Sequence, residues 1–190
     1  MWSTSHRQPK AKRLLVGILT IAAVLSWISA TRAGEAKESD LKAAFLYNFA
    51  KFTEWPGERE ATRYFLVGIY RPDRLSQNLD HLTSESVRGR PIRIRTCTAP
   101  SDALNCHLVY VNTADDGIIR DFVEDLRGKP VLVISDARGA ANLGAMIGIF
   151  TVEGKLRFEI NMASVESSGL KMSAHLLGMA RIVRQEGAQP

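Results

Sequence analysis

"CHLVYVNTADDGIIRDFVEDLRGKPVLVISD", residues 106–136, sets two short apolar runs on either side of an amphipathic segment. The runs "CHLVYVN" (106–112) and "KPVLVISD" (129–136) are nearly continuous in Val, Ile and Leu, as strands covered on both faces are. Between them, "DDGIIRDFVEDLRG" (115–128) gathers Ile118, Ile119, Phe122, Val123 and Leu126 on one helical face. Strand, helix and strand in that order argue for a largely parallel sheet with helices on both faces.

The same alternation extends upstream. "YFLVGIY" (64–70) reads as a buried strand, and "RPDRLSQNLDHL" (71–82) as a helix from Pro72 or Asp73 with Leu75, Leu79 and Leu82 at helical spacing. "PIRIRTC" (91–97) alternates, so Ile92 and Ile94 face one way and Arg93 and Arg95 the other, which predicts a half-exposed strand. Downstream the rhythm breaks. "AMIGIFTVEGKLRFEIN" (145–161) holds two strand-like runs around Glu153-Gly154, which predicts a β-hairpin added to the sheet. "MASVESSG" (162–169) fits a short helix closed by Gly169. "SAHLLGMARIV" (173–183) fits a final helix with Leu176, Met179, Ala180 and Val183 as its stripe. The expected fold class is α/β: a single three-layer domain with a mostly parallel central sheet, a C-terminal β-hairpin added, and helices on both faces.

The first 33 residues carry a basic n-region (Arg7, Lys10, Lys12, Arg13) and an apolar stretch from Leu14 to Ile28. Small residues follow up to Ala33, the expected cleavage point of a secretory signal peptide, with Ala30 as the second choice. The apolar stretch is short beside the ~20 residues of a spanning helix. Residues 34–190 are then one domain with an ordered core at about 40–184, expected to be exported to an oxidising compartment. The chain has 25 basic and 20 acidic residues; the leader takes five of the basic ones and none of the acidic, leaving a balanced remainder that gives no support to a nucleic-acid partner.

Cys97 and Cys106 lie beyond the leader. In an oxidising compartment such a pair permits a disulfide worth ~2–3 kcal/mol. Two reduced residues at strand ends are the alternative, and both stay open because bonding requires Cα atoms within about 7 Å.

Catalytic and cofactor signatures are missing: there is no Walker loop, no GxGxxG after a strand, no HExxH, no GxSxG and no paired CxxC. No cofactor and no metal are expected, since His81, His107 and His175 fall on separate elements without ligand spacing. "RGAANLGAM" (138–146) follows a strand but leads into the hairpin, so it reads as an ordinary loop. Ligands of open α/β sheets favour the carboxyl ends of strands. Those ends carry Arg71, Asn112 and Arg138, a set able to hold a small polar or anionic ligand. Glu159, on the polar face of "RFEIN" with Arg157 and Asn161, and His175, at the edge of the final helix's stripe, complete the candidate ligand set. For Glu159 a structural carboxylate bonded to an arginine is the plainer expectation.

The opening segment "LKAAFLYNFAKFTEWP" (41–56) is expected to be helical from a cap at Ser39 or Asp40 to about Trp55. Its packed face would hold Leu41, Ala44, Phe45, Asn48, Phe49, Phe52 and Trp55. Tyr47 falls outside that face beside Lys51, so these two are the residues a partner would read.

That segment, with "FLVGIY", "CHLVYVN", "VLVISD" and "LRFEINMASVESSGLKMSAHLLGMARIV" in the same order over roughly 40–184, resembles the YfiR-like family of exported bacterial proteins. The resemblance implies a periplasmic α/β domain without known catalysis. Its best-understood member represses a membrane diguanylate cyclase by binding the enzyme's periplasmic part, which lowers cyclic-di-GMP, and an outer-membrane OmpA-like lipoprotein can sequester that repressor. The partners implied are an inner-membrane signalling protein and such a lipoprotein; a homodimer stays open. Cys106 matches the family's frequent "CH" strand start, while only Cys97 is left to pair with it, which departs from disulfide-rich relatives. A periplasmic small-molecule sensor or carrier using Arg71, Arg138 and His175 is the alternative function.

Overall fold

The computed structural model describes residues 38–57, 62–72 and 79–183. The expected leader and the tail after 183 lie outside the described residues, as do positions 73–78 of the helix expected over 71–82. No helix among the described residues is long and apolar enough to cross a membrane.

Residues 38–51 form helix α1. Strand β1 (Thr53–Glu54) follows, then β2 (Phe65–Tyr70), a 3-10 turn (Asp80–Ser84), β3 (Ser86–Val87) and β4 (Arg90–Cys97). Helix α2 (Pro100–Ala103) leads to β5 (Leu108–Val111), α3 (Asp116–Asp125) and β6 (Leu132–Ser135). The last third is β7 (Ile147–Val152), β8 (Lys155–Asn161), α4 (Met162–Ser167), β9 (Lys171–Met172), α5 (Ala174–Met179) and β10 (Arg181–Val183). Apart from a two-stranded β1–β9 ladder, the strands make one eight-stranded sheet in the order β10-β8-β7-β6-β5-β2-β4-β3. All pairs from β4 to β7 are parallel, so the five strands from β4 to β7 stand in chain order 2-1-3-4-5, the flavodoxin-like winding. The switch of direction falls between β2 and β5.

The expected hairpin is present as β7 and β8, antiparallel from Ile147↔Ile160 to Val152↔Lys155. Glu153 and Gly154 both have positive φ, 50° and 71°, as a two-residue type I′ turn requires. Two cores flank the sheet. On one face α1, the 79–87 segment, α4 and α5 cover Val67, Ile69, Leu108, Tyr110, Ile147 and Phe158. On the other, α2, α3 and the 137–146 loop cover Val109, Val111, Val133 and the two cysteines. Ends are fixed by side chains: Asp115 accepts from the Gly117 and Ile118 amides, and Asn161 from the Ser164 amide.

Two expectations are corrected. The final segment is helical only from Ala174 to Met179, after which Arg181–Val183 becomes β10 in parallel register with β8. Gly178 weakens the helix and Ile182-Val183 favours a strand, so Met179, placed on the packed stripe by the helical reading, is 54 % exposed. Helix α1 ends at 51 because Thr53 and Glu54 pair with β9, and its phase is rotated from the expected one. Ala43, Leu46, Phe49 and Ala50 are buried, whereas Leu41, Ala44 and Asn48 are exposed. Trp55, which helped to set the expected phase, lies beyond the helix; its indole N–H donates to the His107 carbonyl at 3.0 Å.

Candidate functional site

The carboxyl ends of β2, β5 and β6 are adjacent, and they bring part of the expected set together. The Asn112 amide donates to the Arg71 carbonyl at 2.9 Å across the switch point. Arg71 has φ 51°, an uncommon left-handed conformation for a residue with a side chain, and its guanidinium lies 5.5 Å from the Tyr70 ring centroid. One strand over, Asp136 accepts from Lys42 Nζ at 2.7 Å, so α1 is tied to the same end of the sheet. Arg138 is exposed two residues further on.

The 138–146 loop has the character expected of it. Its backbone N–H groups at 140 and 142–145 all bond to carbonyls of residues 137–141, so those five form no cradle for an anion. Asn161, fully buried, donates from its amide to Ala141 O at 2.9 Å and holds the loop onto the sheet.

Glu159 and His175 do not join the strand-end set. Across the sheet, Ser135 registers with Gly148, Gly148 with Glu159, and Glu159 with Arg181. The Glu159 side chain is 3 % exposed and its Oε2 accepts from Arg181 Nη2, with Arg181 Nε at 3.1 Å. A methyl on Gly148 would stand 3.1 Å from Glu159 Oε1 and 3.2 Å from the Ala141 nitrogen, so the missing side chain is what lets the carboxylate lie there. His175 is exposed on α5 with its ring 5.4 Å from Phe52.

The other two histidines stand in different surroundings. His81 is exposed. His107 is fully buried: Nδ1 accepts from the Leu66 amide at 3.0 Å, which leaves the proton on Nε2, 3.0 Å from Thr62 Oγ1. Its ring stacks on Phe65 at 4.6 Å, and Arg90 lies close to both, with Nη1 3.3 Å from His107 Nε2 and its guanidinium 5.6 Å from the Phe65 ring centroid. These are structural bonds.

Cys97 and Cys106 are both buried, and no disulfide joins them. Their thiols meet over Gly68 in the middle of β2, where a methyl would stand 2.8 Å from one sulfur and 3.0 Å from the other. Hydrogen bonding with Cys106 lowers the Cys97 thiol pKa against the opposing effect of burial. Nothing in the spacing of the cysteines announced this arrangement; a glycine inside an apolar strand run was the available signal.

Tyr47 is a correction. Instead of standing clear of the packed face it is half-buried, with its hydroxyl donating to Ser86 O at 3.4 Å. Burial first, and then the nearby Glu85 carboxylate, raise its pKa. Lys51 is exposed, 5.9 Å from the ring centroid. A cavity of about 260 Å³ lies elsewhere, between the end of α3, Leu143–Met146 and α4, with Leu126 and Val133 in its wall and Arg127, Ser164 and Ser167 among its polar groups.

The YfiR/HmsC-like family model matches residues 39–181, from the second residue of α1 to the first of β10. Among solved structures, the chain is similar to a conserved domain protein from Vibrio cholerae O1 biovar El Tor, at 13 % identity and TM-score 0.50 over 75 % of this chain and 60 % of that one. It also matches, at TM-score 0.46 and 11 % identity over 75 % of this chain and 58 % of the other, a substrate-binding protein with adhesive properties from Clostridium difficile. A third match, at TM-score 0.45 and 10 % identity over 62 % and 56 %, is a domain from Streptococcus pneumoniae solved in complex with L-Trp. The chain thus spans less than two thirds of each of these structures, and the Vibrio likeness concerns the fold alone.

Proposed function

Because the chain belongs to the YfiR/HmsC-like family, we propose that it is a non-catalytic periplasmic regulatory protein that controls a membrane signalling protein by direct contact. The target indicated by the resemblance is the periplasmic part of a diguanylate cyclase, whose repression would lower cyclic-di-GMP. The observation that carries this reading is the state of the polar groups on the sheet. Glu159, the one buried carboxylate among the described residues, is held by Arg181, and His107 is spent on Leu66 and Thr62. Lys42 and Asp136 neutralise each other at the strand ends. Such groups stabilise a scaffold and leave its outer surface to do the work.

Affinity capture of the exported protein from native membranes, after mild cross-linking, is expected to recover an inner-membrane signalling protein. Deleting the gene should raise cellular cyclic-di-GMP. Glu159→Gln and His175→Ala variants that remain folded should restore the low level. Absence of any membrane partner, or complementation that depends on either side chain, would overturn the proposal.

A further inference from the structure

Among the described residues, the outer edge of β4 is mostly without a strand partner. Its neighbour β3 pairs only through Ser86↔Pro91 and Val87↔Arg90, although β4 runs on to Cys97. The Ile92 amide reaches past that ladder to Glu85 O at 3.2 Å, so Ile92 turns its backbone groups outward. Strand alternation then turns the N–H and C=O of Ile94 and Thr96 outward as well, and among the described residues no strand pairs with them.

The exposed charged side chains of β4, Arg93 and Arg95, lie on one sheet face and carry the same charge. Arg93 and Arg95 pair in register with Leu66 and Gly68 and lie on the same sheet face as Tyr64. The Arg93 guanidinium is 3.8 Å from the Tyr64 ring centroid and that of Arg63 is 5.2 Å from it. Arg63, Arg93 and Arg95 are exposed and make no ion pair among the described residues. Asp102, whose carboxylate feels the Arg95 charge, spends that carboxylate on the Thr98 and Ala99 amides. Guanidiniums laid on an aromatic ring keep their forked donors free for carboxylates.

We propose that β4 takes an extended, acidic segment of a protein partner as an added strand. The partner's main chain bonds to Ile94 and Thr96, and its carboxylates meet Arg93 and Arg95, with Arg63 beyond them. A second copy of this chain is a poor occupant, since β4 against β4 would set arginine beside arginine. Anionic lipid could use the charges but not the backbone groups. The proposal deepens the reading of the chain as a protein that acts by contact, and rests on it.

The test uses the purified exported protein and a fluorescein-labelled peptide alternating glutamate with valine and threonine, followed by anisotropy. Saturable binding is expected, with the glutamine version of the peptide weaker by about tenfold or more and with affinity falling as salt rises. Thr96→Pro removes an outward N–H while leaving the β2 ladder intact, and should abolish binding without changing the circular dichroism spectrum. The double variant Arg93→Gln/Arg95→Gln should weaken binding about tenfold, and it decides the matter should the proline variant misfold. No saturable binding, or equal binding by the variants, would overturn the added strand. Binding that survives Thr96→Pro and is competed by phosphatidylglycerol vesicles would assign the arginines to lipid instead. A membrane partner captured from cells despite failure of the peptide would leave the regulatory reading standing and remove this surface from it.

Discussion

The two edges of the sheet both present arginine and use it in opposite ways. At the β10 edge, Arg181 reaches inward to Glu159, a carboxylate whose side chain is 3 % exposed. At the β4 edge, Arg93 and Arg95 face solvent without an ion pair among the described residues. The first edge is closed by its own chemistry: removing the arginine would strand a charge in a place water does not reach. The second has no strand partner beyond β3 among the described residues, and its cations repel further copies of the chain as much as they attract an acid. An arginine's role is therefore set by what its register neighbour offers: Glu159 across from Arg181, Leu66 and Gly68 across from Arg93 and Arg95.

The largest effect that would test this contrast is on stability. Arg181→Ala is expected to cost about 2–3 kcal/mol, less than for a fully buried pair because the Arg181 side chain is itself 65 % exposed. Arg93→Ala should stay within ~0.5 kcal/mol of the parent. Urea unfolding followed by tryptophan fluorescence measures both, and equal losses would erase the distinction between the edges.

A smaller effect lies next to the open edge. Gly68→Ala would drive a methyl to within 2.8 Å of the Cys97 sulfur and 3.0 Å of the Cys106 sulfur, both fully buried. Overpacking of that kind costs ~1–3 kcal/mol. The variant should also expose its thiols to Ellman's reagent well before global unfolding, whereas the parent's thiols should stay silent while folded. A variant as stable and as unreactive as the parent would mean that the site is looser than the sulfur contacts indicate.

The layers and the hairpin were legible in the sequence because apolar runs and helical stripes are local signals. The buried strands β2, β5 and β6, the Glu153-Gly154 turn and the α3 face at Ile119, Phe122 and Leu126 all follow from spacing alone. Winding order and the fate of the last segment depend on pairing between distant strands. Arg181–Val183 leaves its helix for β8, and Thr53–Glu54 leaves α1 for β9, a pairing that no local pattern encodes. For the candidate site, residue types were readable and company was not. Arg71 and Asn112 do meet at adjacent strand ends, but Lys42 reaches Asp136 from 94 residues away and Glu159 turns to Arg181. Tyr47 was misplaced for a related reason. Counting aromatics weighted Trp55 as helical and rotated the face, whereas small Ala43 and Ala50 mark where α1 meets the sheet.

The smallest effect concerns how β4 ends. Asp102 accepts from the Thr98 amide and hydroxyl, both at 2.8 Å, and from the Ala99 amide at 3.2 Å, turning the chain away from the open edge into α2. Those bonds, the Thr98 amide first, hold its pKa below the ordinary carboxylate value. A carboxyl depressed in the folded state favours folding where it is ionised in both states. That contribution is present above the unfolded value of about 4 and is lost as pH falls through the lower folded value. Asp102→Asn should therefore be slightly less stable than the parent at neutral pH, and the gap should close as the acid limb is approached. Thermal melts of the two proteins from pH 7 down to pH 3 follow it. A gap that widened on acidification would have the wrong sign, and the turn after Cys97 would then owe its shape to Pro100 rather than to the carboxylate.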